Sequence, residues 1–186
     1  VVERKAYFLH PEIPPEGRPR ELRDGESADD TSLSEPLKSL AEDCGLIMRR
    51  AKKTPFTRTA QAATEYAKQF DVDEAFYRAA YREFWDNGAD LGDYDVLESL
   101  SLEVGLDWSD LKPRLEAGEF DLEIQNQHDE AMKVGIWGVP GFVVDDGFYF
   151  TGAQPIEMFR LAVKRALDAR KSGTAEGFGG IVIGEG

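Results

Sequence analysis

One cysteine, Cys44, occurs among 186 residues, so no intramolecular disulfide can staple this chain. That usage fits a reducing compartment, and the expected localisation is cytoplasmic. Histidine is almost as scarce. His10 and His128 lie too far apart in sequence to suggest a shared metal ion on spacing, and both read as surface residues. No His-Glu-x-x-His pair or Asp-x-Asp-x-Asp-Gly loop occurs, so neither zinc nor calcium is expected and no metal is assigned. No phosphate-cradling glycine loop is present either. Gly177, Gly179 and Gly180 lack the preceding strand and following helix that would give them that meaning. Positive charge is in short supply: 22 Lys and Arg against 36 Asp and Glu leave a formal charge of -14 and a pI near 4.6. Phosphate neutralisation needs clustered cations, so nucleic acid and anionic lipid are not expected partners. No apolar run approaches the ~20 residues of a membrane span, and neither a span nor a secretory leader is expected.

What remains is the composition of a globular chain, 41% hydrophobic and 11% aromatic, sized for one domain or a domain with an insertion. Lys5 to Leu9 reads as a strand running into a proline-rich loop through Pro19. Glu21 to Thr31 reads as a surface loop. Ser34 can cap a helix whose Leu37, Leu40 and Ala41 share a face and which Gly45 ends after Cys44. From Thr59 to Gly118 the pattern is all helix. Ala60, Ala63, Tyr66, Ala67 and Phe70 recur at helical spacing. Asp73 is expected to cap the next helix, with Phe76, Tyr77, Ala80, Tyr81 and Phe84 inward and Asn87-Gly88 as its stop. Asp93 and Asp107 open two more, stopped by Gly105 and Gly118, with Pro113 inside the second. A long helix from Glu119 to Val134 follows. Helices succeeding one another without strands disfavour a fully alternating parallel sheet.

The segment from Gly135 to Pro155 carries the most information. Gly138-Val139-Pro140 precedes the apolar run Phe142-Val143-Val144, a turn at Asp145-Asp146-Gly147, a second run Phe148-Tyr149-Phe150, and Gly152-Ala153-Gln154-Pro155 before a last helix. Proline cannot donate to a sheet ladder, so Pro140 belongs at a strand start or in a bend. Sequence alone does not decide whether the Val139-Pro140 bond is cis. Asp and Gly tolerate positive φ and suit the hairpin turn.

These residues resemble the C-terminal part of the DsbA-like thioredoxin-fold family, and its FrnE-type branch in particular. Leu9-His10-Pro11 with Ile13-Pro14-Pro15-Glu16-Gly17 is similar to the segment after that branch's second strand, which here would be Arg4 to Leu9. Pro55-Phe56-Thr57-Arg58-Thr59-Ala60 resembles the start of its inserted helical domain, with Phe56 where Asn is usual. Asp90-Leu91-Gly92-Asp93, Leu97 and Val104-Gly105-Leu106-Asp107 match two further helices of that insert. The resemblance implies an α/β fold, thioredoxin-like with an inserted all-helical domain and N-terminally incomplete. The expected organisation is 1–55 and 119–171 as the two parts of the thioredoxin-like domain, 56–118 as the helical insertion, and 172–186 as a glycine-rich tail.

The same resemblance implies protein thiol–disulfide oxidoreductase or isomerase chemistry, acting on protein thiols, disulfides or extended peptide. It places the substrate-binding loop at Gly138, Val139 and Pro140, with Trp137 as a cleft-lining candidate. Gly141 stands where threonine usually follows this proline, which suggests a looser strand start. The Cys-x-x-Cys pair of redox-active members lies upstream of the strand that opens this chain and has no counterpart here. No catalytic residue is therefore assigned, and the sequence as given is expected to be inactive in thiol exchange. Cys44, near a helix C-terminus where the dipole disfavours a thiolate, reads as a partly buried, inert thiol. Trp85, Tyr77, Tyr81 and Phe84 read as core. No cofactor is expected, and a homodimer is compatible with the sequence. Two alternatives stand beside this reading. One is a glutathione-dependent isomerase or transferase of the hydroxychromene-carboxylate isomerase or kappa class, although those usually end the second hairpin strand in Gly-Gln-Asp. The other is a non-catalytic, chaperone-like peptide-binding module.

Overall fold

Local capping chemistry explains most of the helix boundaries. The structure, a computed structural model, describes residues 2–22, 24–145 and 147–173. In chain order the elements are β1 (Arg18–Pro19), α1 (Leu37–Asp43), β2 (Lys53–Thr54), α2 (Arg58–Lys68), α3 (Asp73–Arg82), α4 (Tyr94–Glu103), α5 (Trp108–Glu116), α6 (Asp121–Lys133), β3 (Gly141–Val144), β4 (Phe148–Thr151) and α7 (Ile156–Ser172). A π turn, Glu83–Asn87, extends α3. Asp93 and Asp107 cap α4 and α5, their carboxylates accepting from the N–H groups of Asp95 and Ser109, each at 2.9 Å. Gly88 and Gly105 adopt left-handed φ of 68° and 82°, ending the helices that precede them.

The chain packs as two compact units, one of His10–Ile124 and one of Val1–Leu9 with Gln125–Gly186; the boundary falls inside α6. Residues 10–55, which lie outside the expected insertion of 56–118, fall in the first of these units. Arg18 and Pro19 ladder with Thr54 and Lys53. The Arg49 N–H donates to the Trp85 carbonyl at 2.8 Å, and Lys53 pairs with Asp90. The two-residue β1–β2 ladder is too short to leave a periodic signal, and β1 lies at the end of the expected proline-rich loop.

The helical unit has a dense core. Tyr66, Phe76, Leu97, Leu100, Leu111 and Ile124 are essentially inaccessible to solvent. Arg114 binds Glu119 through two guanidinium nitrogens, at 2.8 and 2.5 Å, and lies 5.0 Å over the Tyr66 ring. Several helical expectations need correction. Val72, not Asp73, holds the cap position of α3. Asp73 sits inside the first turn, where its charge faces the positive end of the helix. No side chain caps α1; the Glu35 carboxylate instead accepts from the Ser39 N–H at 3.2 Å. Leu37 and Leu40 are exposed and only Ala41 is buried, so the apolar stripe of α1 is uncovered among the described residues. Phe70 and Tyr81 also face solvent, the latter stacked on Tyr77 at 4.3 Å. Cys44 is exposed, not partly buried.

In the other unit, β3 and β4 form an antiparallel hairpin with Gly141 opposite Thr151 and Val144 opposite Phe148. Asp145 has φ of 55°; Asp146 lies outside the described residues. The Phe159 ring of α7 stands edge-on against Phe142 at 4.8 Å and Phe150 at 5.0 Å, and Ala162 and Ala166 are buried. Arg4 to Leu9 is not a strand. Ala6 and Phe8 are buried, but the segment has no ladder partner among the described residues. The Ala6 N–H donates to Gln127 Oε1 at 2.6 Å and the Phe8 N–H to His128 Nδ1 at 3.3 Å. Helix side chains thus supply the acceptors that a neighbouring strand would supply. The expected tail, including Gly177, Gly179 and Gly180, lies outside the described residues from 174 onward, and α7 itself runs to Ser172.

Candidate functional site

The loop between α6 and β3 begins where α6 unwinds. Gly135 takes φ of 88°, and the Ile136 N–H reaches back to the Ala131 carbonyl at 2.9 Å. A Cβ at Gly135 would lie 3.0 Å from Tyr149 Oη, so the β4 tyrosine ring packs directly on this turn. Ile136 points inward and is buried, while Trp137, Val139 and Pro140 are exposed and Gly138 is half-buried.

Trp137, Gly138, Val139 and Pro140 share this loop, with Trp137 73% and Val139 49% exposed. The Val139–Pro140 peptide is cis, as is Glu35–Pro36 in the other unit. The Pro140 carbonyl accepts the Gly152 N–H at 2.8 Å, which anchors the loop to the end of the hairpin. Among the described residues the backbones of Trp137, Gly138 and Val139 form no hydrogen bond. An exposed peptide unit of this kind, fixed on both sides, can pair with an extended ligand as a strand would.

Gly141 does not loosen the strand start. A Cβ there would meet Ile136 Cγ2 at 2.5 Å, a distance no side chain tolerates without displacing the buried isoleucine. Ile136 occupies the space that a threonine would need. The glycine is therefore a close-packing residue, and the loop is held from below by Ile136. Gln154 has the structural task expected of it, its Nε2 donating to the Thr151 carbonyl at 2.9 Å.

Trp85, Tyr77, Tyr81 and Phe84 belong to the helical unit, with Phe84 and Trp85 in edge contact at 5.0 Å. His10 is exposed beside Glu12 at 3.3 Å. His128 is not a surface residue. It is half-buried between Tyr7 and Phe8, each ring 4.9 Å away. Sequence reasoning passed over Gln127 and His128 as structural acceptors. A signal was present for Gln127, which falls on the same helical stripe as Ile124 and Ala131, where a polar side chain requires a partner. Among the described residues, no group of three or more His, Cys, Asp or Glu side chains is placed to hold a metal ion. Nor is any helix among them long and apolar enough to cross a membrane.

The model of the DSBA-like thioredoxin domain matches residues 2–164. The uncharacterized protein YwbO of Bacillus subtilis (strain 168) is 26% identical over 160 residues, covering 80% of each chain. The 2-hydroxychromene-2-carboxylate isomerase of Sphingobium xenophagum is 32% identical over 88 residues, 47% of this chain and 45% of that one. Among solved structures, a probable DsbA oxidoreductase from Streptomyces coelicolor superposes with a TM-score of 0.62 at 26% identity, over 77% of this chain and 71% of that one.

Proposed function

The chain belongs to the DSBA-like thioredoxin domain family, and on that premise we propose that it provides the substrate-side loop of a protein thiol–disulfide oxidoreductase or isomerase of the FrnE-type branch. Trp137, Gly138, Val139 and Pro140 receive an extended protein thiol or disulfide in this reading, and the compartment is the reducing cytoplasm. The observation that carries it is the exposed backbone of Trp137 to Val139, anchored by the Pro140 carbonyl and left without hydrogen bonds among the described residues. The similarity to a DsbA oxidoreductase structure supports it.

Two-cysteine exchange needs a thiolate that attacks a substrate disulfide and a second thiol that resolves the mixed disulfide, releasing reduced substrate. Cys44 is the lone cysteine of this sequence and lies in the other unit, and one thiol cannot both attack and resolve. The chain alone is therefore expected to show no turnover. Fusing a strand and a Cys-x-x-Cys helix ahead of Val1 is expected to confer reduction or oxidation of a model dithiol substrate. Val139→Pro in that fusion, which deletes one backbone donor, is expected to raise KM. A folded fusion with titratable thiols and no exchange activity would overturn the reading.

The identity to the hydroxychromene-carboxylate isomerase favours one second reading, glutathione-dependent isomerisation. The hairpin ending Gly152-Ala153-Gln154-Pro155 speaks against it. Calorimetric titration with glutathione separates the two, since micromolar affinity supports the isomerase and its absence supports thiol exchange with protein.

A further inference from the structure

We propose that Gln154 is a positioning residue for the candidate loop, acting on it through the peptide unit that joins Thr151 to Gly152. The inference rests on the reading of Trp137 to Pro140 as the segment that pairs with ligand. It starts from the last rung of the hairpin. With Gly141 opposite Thr151 and Phe142 opposite Phe150, Gly152 falls opposite Pro140. The Gly152 N–H donates to the Pro140 carbonyl at 2.8 Å, so by alternation Phe142 with Phe150 and Val144 with Phe148 are the pairs that exchange two bonds. Proline has no N–H, so the Pro140–Gly152 rung has one bond where the others have two. That one bond ties the end of the loop to β4.

Its direction is not secured by the backbone. Gly152 has φ of 83°, and glycine reaches either sign of φ at little cost. The Thr151–Gly152 peptide can therefore turn over by coupled rotation at Thr151 ψ and Gly152 φ. Turned over, it would aim the Thr151 carbonyl at the Pro140 carbonyl, acceptor against acceptor, and the rung would be lost.

Gln154 opposes that rotation. Its Nε2 donates to the Thr151 carbonyl at 2.9 Å. Thr151 C=O and Gly152 N–H belong to one planar unit, so a donor held on the oxygen fixes where the N–H points on the opposite side. Chained amide bonds also polarise one another, which strengthens the bond to Pro140. The half-buried Gln154 amide nitrogen lies 3.5 Å from the place a Gly152 Cβ would take, in contact with the unit it orients. Pro155 follows at once as the cap residue of α7, and Phe159 seats that helix on Phe142 and Phe150. The order of support is thus α7, Gln154, the Thr151–Gly152 peptide, the Pro140 carbonyl and then Val139, whose N–H and C=O an extended ligand would use.

Amide hydrogen exchange of the full chain, resolved by residue with nuclear magnetic resonance, tests this. Gln154→Glu keeps the shape of the side chain and replaces its donor with an acceptor; Gln154→Met keeps the stem and has neither. Both are expected to speed exchange of the Gly152 amide about two- to tenfold and to shift the Val139 amide resonance, with Phe148 and Phe150 unchanged. Unchanged Gly152 exchange in Gln154→Glu overturns the proposal. So does equal acceleration at Gly152, Phe150 and Phe148, which would make Gln154 a general support of the hairpin. In the fusion that carries Cys-x-x-Cys, Gln154→Glu is expected to raise KM and leave kcat near its original value. A fusion inactive with either residue counts against the thiol reading, and the Gly152 measurement then decides the role of Gln154 by itself.

Discussion

The helical unit and the unit that carries the candidate loop bury their apolar side chains to different extents. In His10–Ile124 six large side chains, from Tyr66 to Ile124, are sealed from solvent. In the other unit, the described residues form two small ring clusters, Phe142 with Phe150 and Phe159 and His128 between Tyr7 and Phe8, while Trp137, Val139, Val143, Val163 and Leu167 face outward. The helical unit satisfies its backbone within each helix, so its stability depends on local hydrogen bonds and interhelix packing. The other rests on a two-stranded hairpin, which is marginal until further strands or packing cover it. Incomplete burial and candidate binding surface thus coincide, because exposed backbone and apolar side chains are what a ligand or partner can use.

The contrast can be broken most forcefully at the cores. Phe76→Ala is expected to cost about 3–5 kcal/mol, by leaving a cavity among packed helices. Phe150→Ala, on a two-stranded hairpin and not among packed helices, should cost less. Urea unfolding followed by far-UV dichroism and by aromatic fluorescence should resolve two transitions, Phe76→Ala lowering one and Phe150→Ala the other. A single transition shifted equally by both substitutions would show that the units do not differ as described.

Gly141→Thr sharpens the comparison at the site itself. Its Cβ would collide with Ile136 Cγ2, and a loss of about 1–3 kcal/mol is expected from the forced repacking. Pairing it with Ile136→Ala should recover part of that loss. If Gly141→Thr alone is neutral, the loop is not held by Ile136.

The smallest effect concerns Tyr66 of the helical unit. Burial, then its hydrogen bond to Asp110 at 2.9 Å, pushes its phenol up to about 12. A raised folded value means that the neutral phenol is favoured in the native state. Its contribution is complete below the unfolded value of about 10 and is lost as pH rises from there through about 12. Tyr66→Phe should remove that alkaline sensitivity and, at neutral pH, cost about 1 kcal/mol. An unchanged stability profile between wild type and Tyr66→Phe above pH 10 would count against this account.

Much of the helical unit was legible in the sequence because its signals are local. Asp93 and Asp107 cap helices through their own neighbours' N–H groups, and Gly88 and Gly105 end helices by backbone conformation alone. The hairpin was legible for the same reason, with Asp145 and Gly147 between two apolar runs. Trp137, Gly138, Val139 and Pro140 could be singled out as a loop from the proline. That Trp137 and Val139 are exposed, and that the backbones of Trp137 to Val139 form no hydrogen bond among the described residues, could not, since exposure depends on what the rest of the chain covers. Leu37, Leu40, Phe70 and Tyr81 show the same limit, for helical spacing names a face but not whether anything packs on it.

The order of the helices, their stops and the turn before β4 were determined by residues acting over three or four positions, where steric and hydrogen-bonding preferences suffice. Only the tertiary structure decided that Gln127 and His128 bind the backbone of Ala6 and Phe8, and that Ile136 lies beneath Gly141. These depend on groups more than a hundred residues apart or on a turn of chain brought within van der Waals distance, and chain connectivity carries no local trace of such meetings.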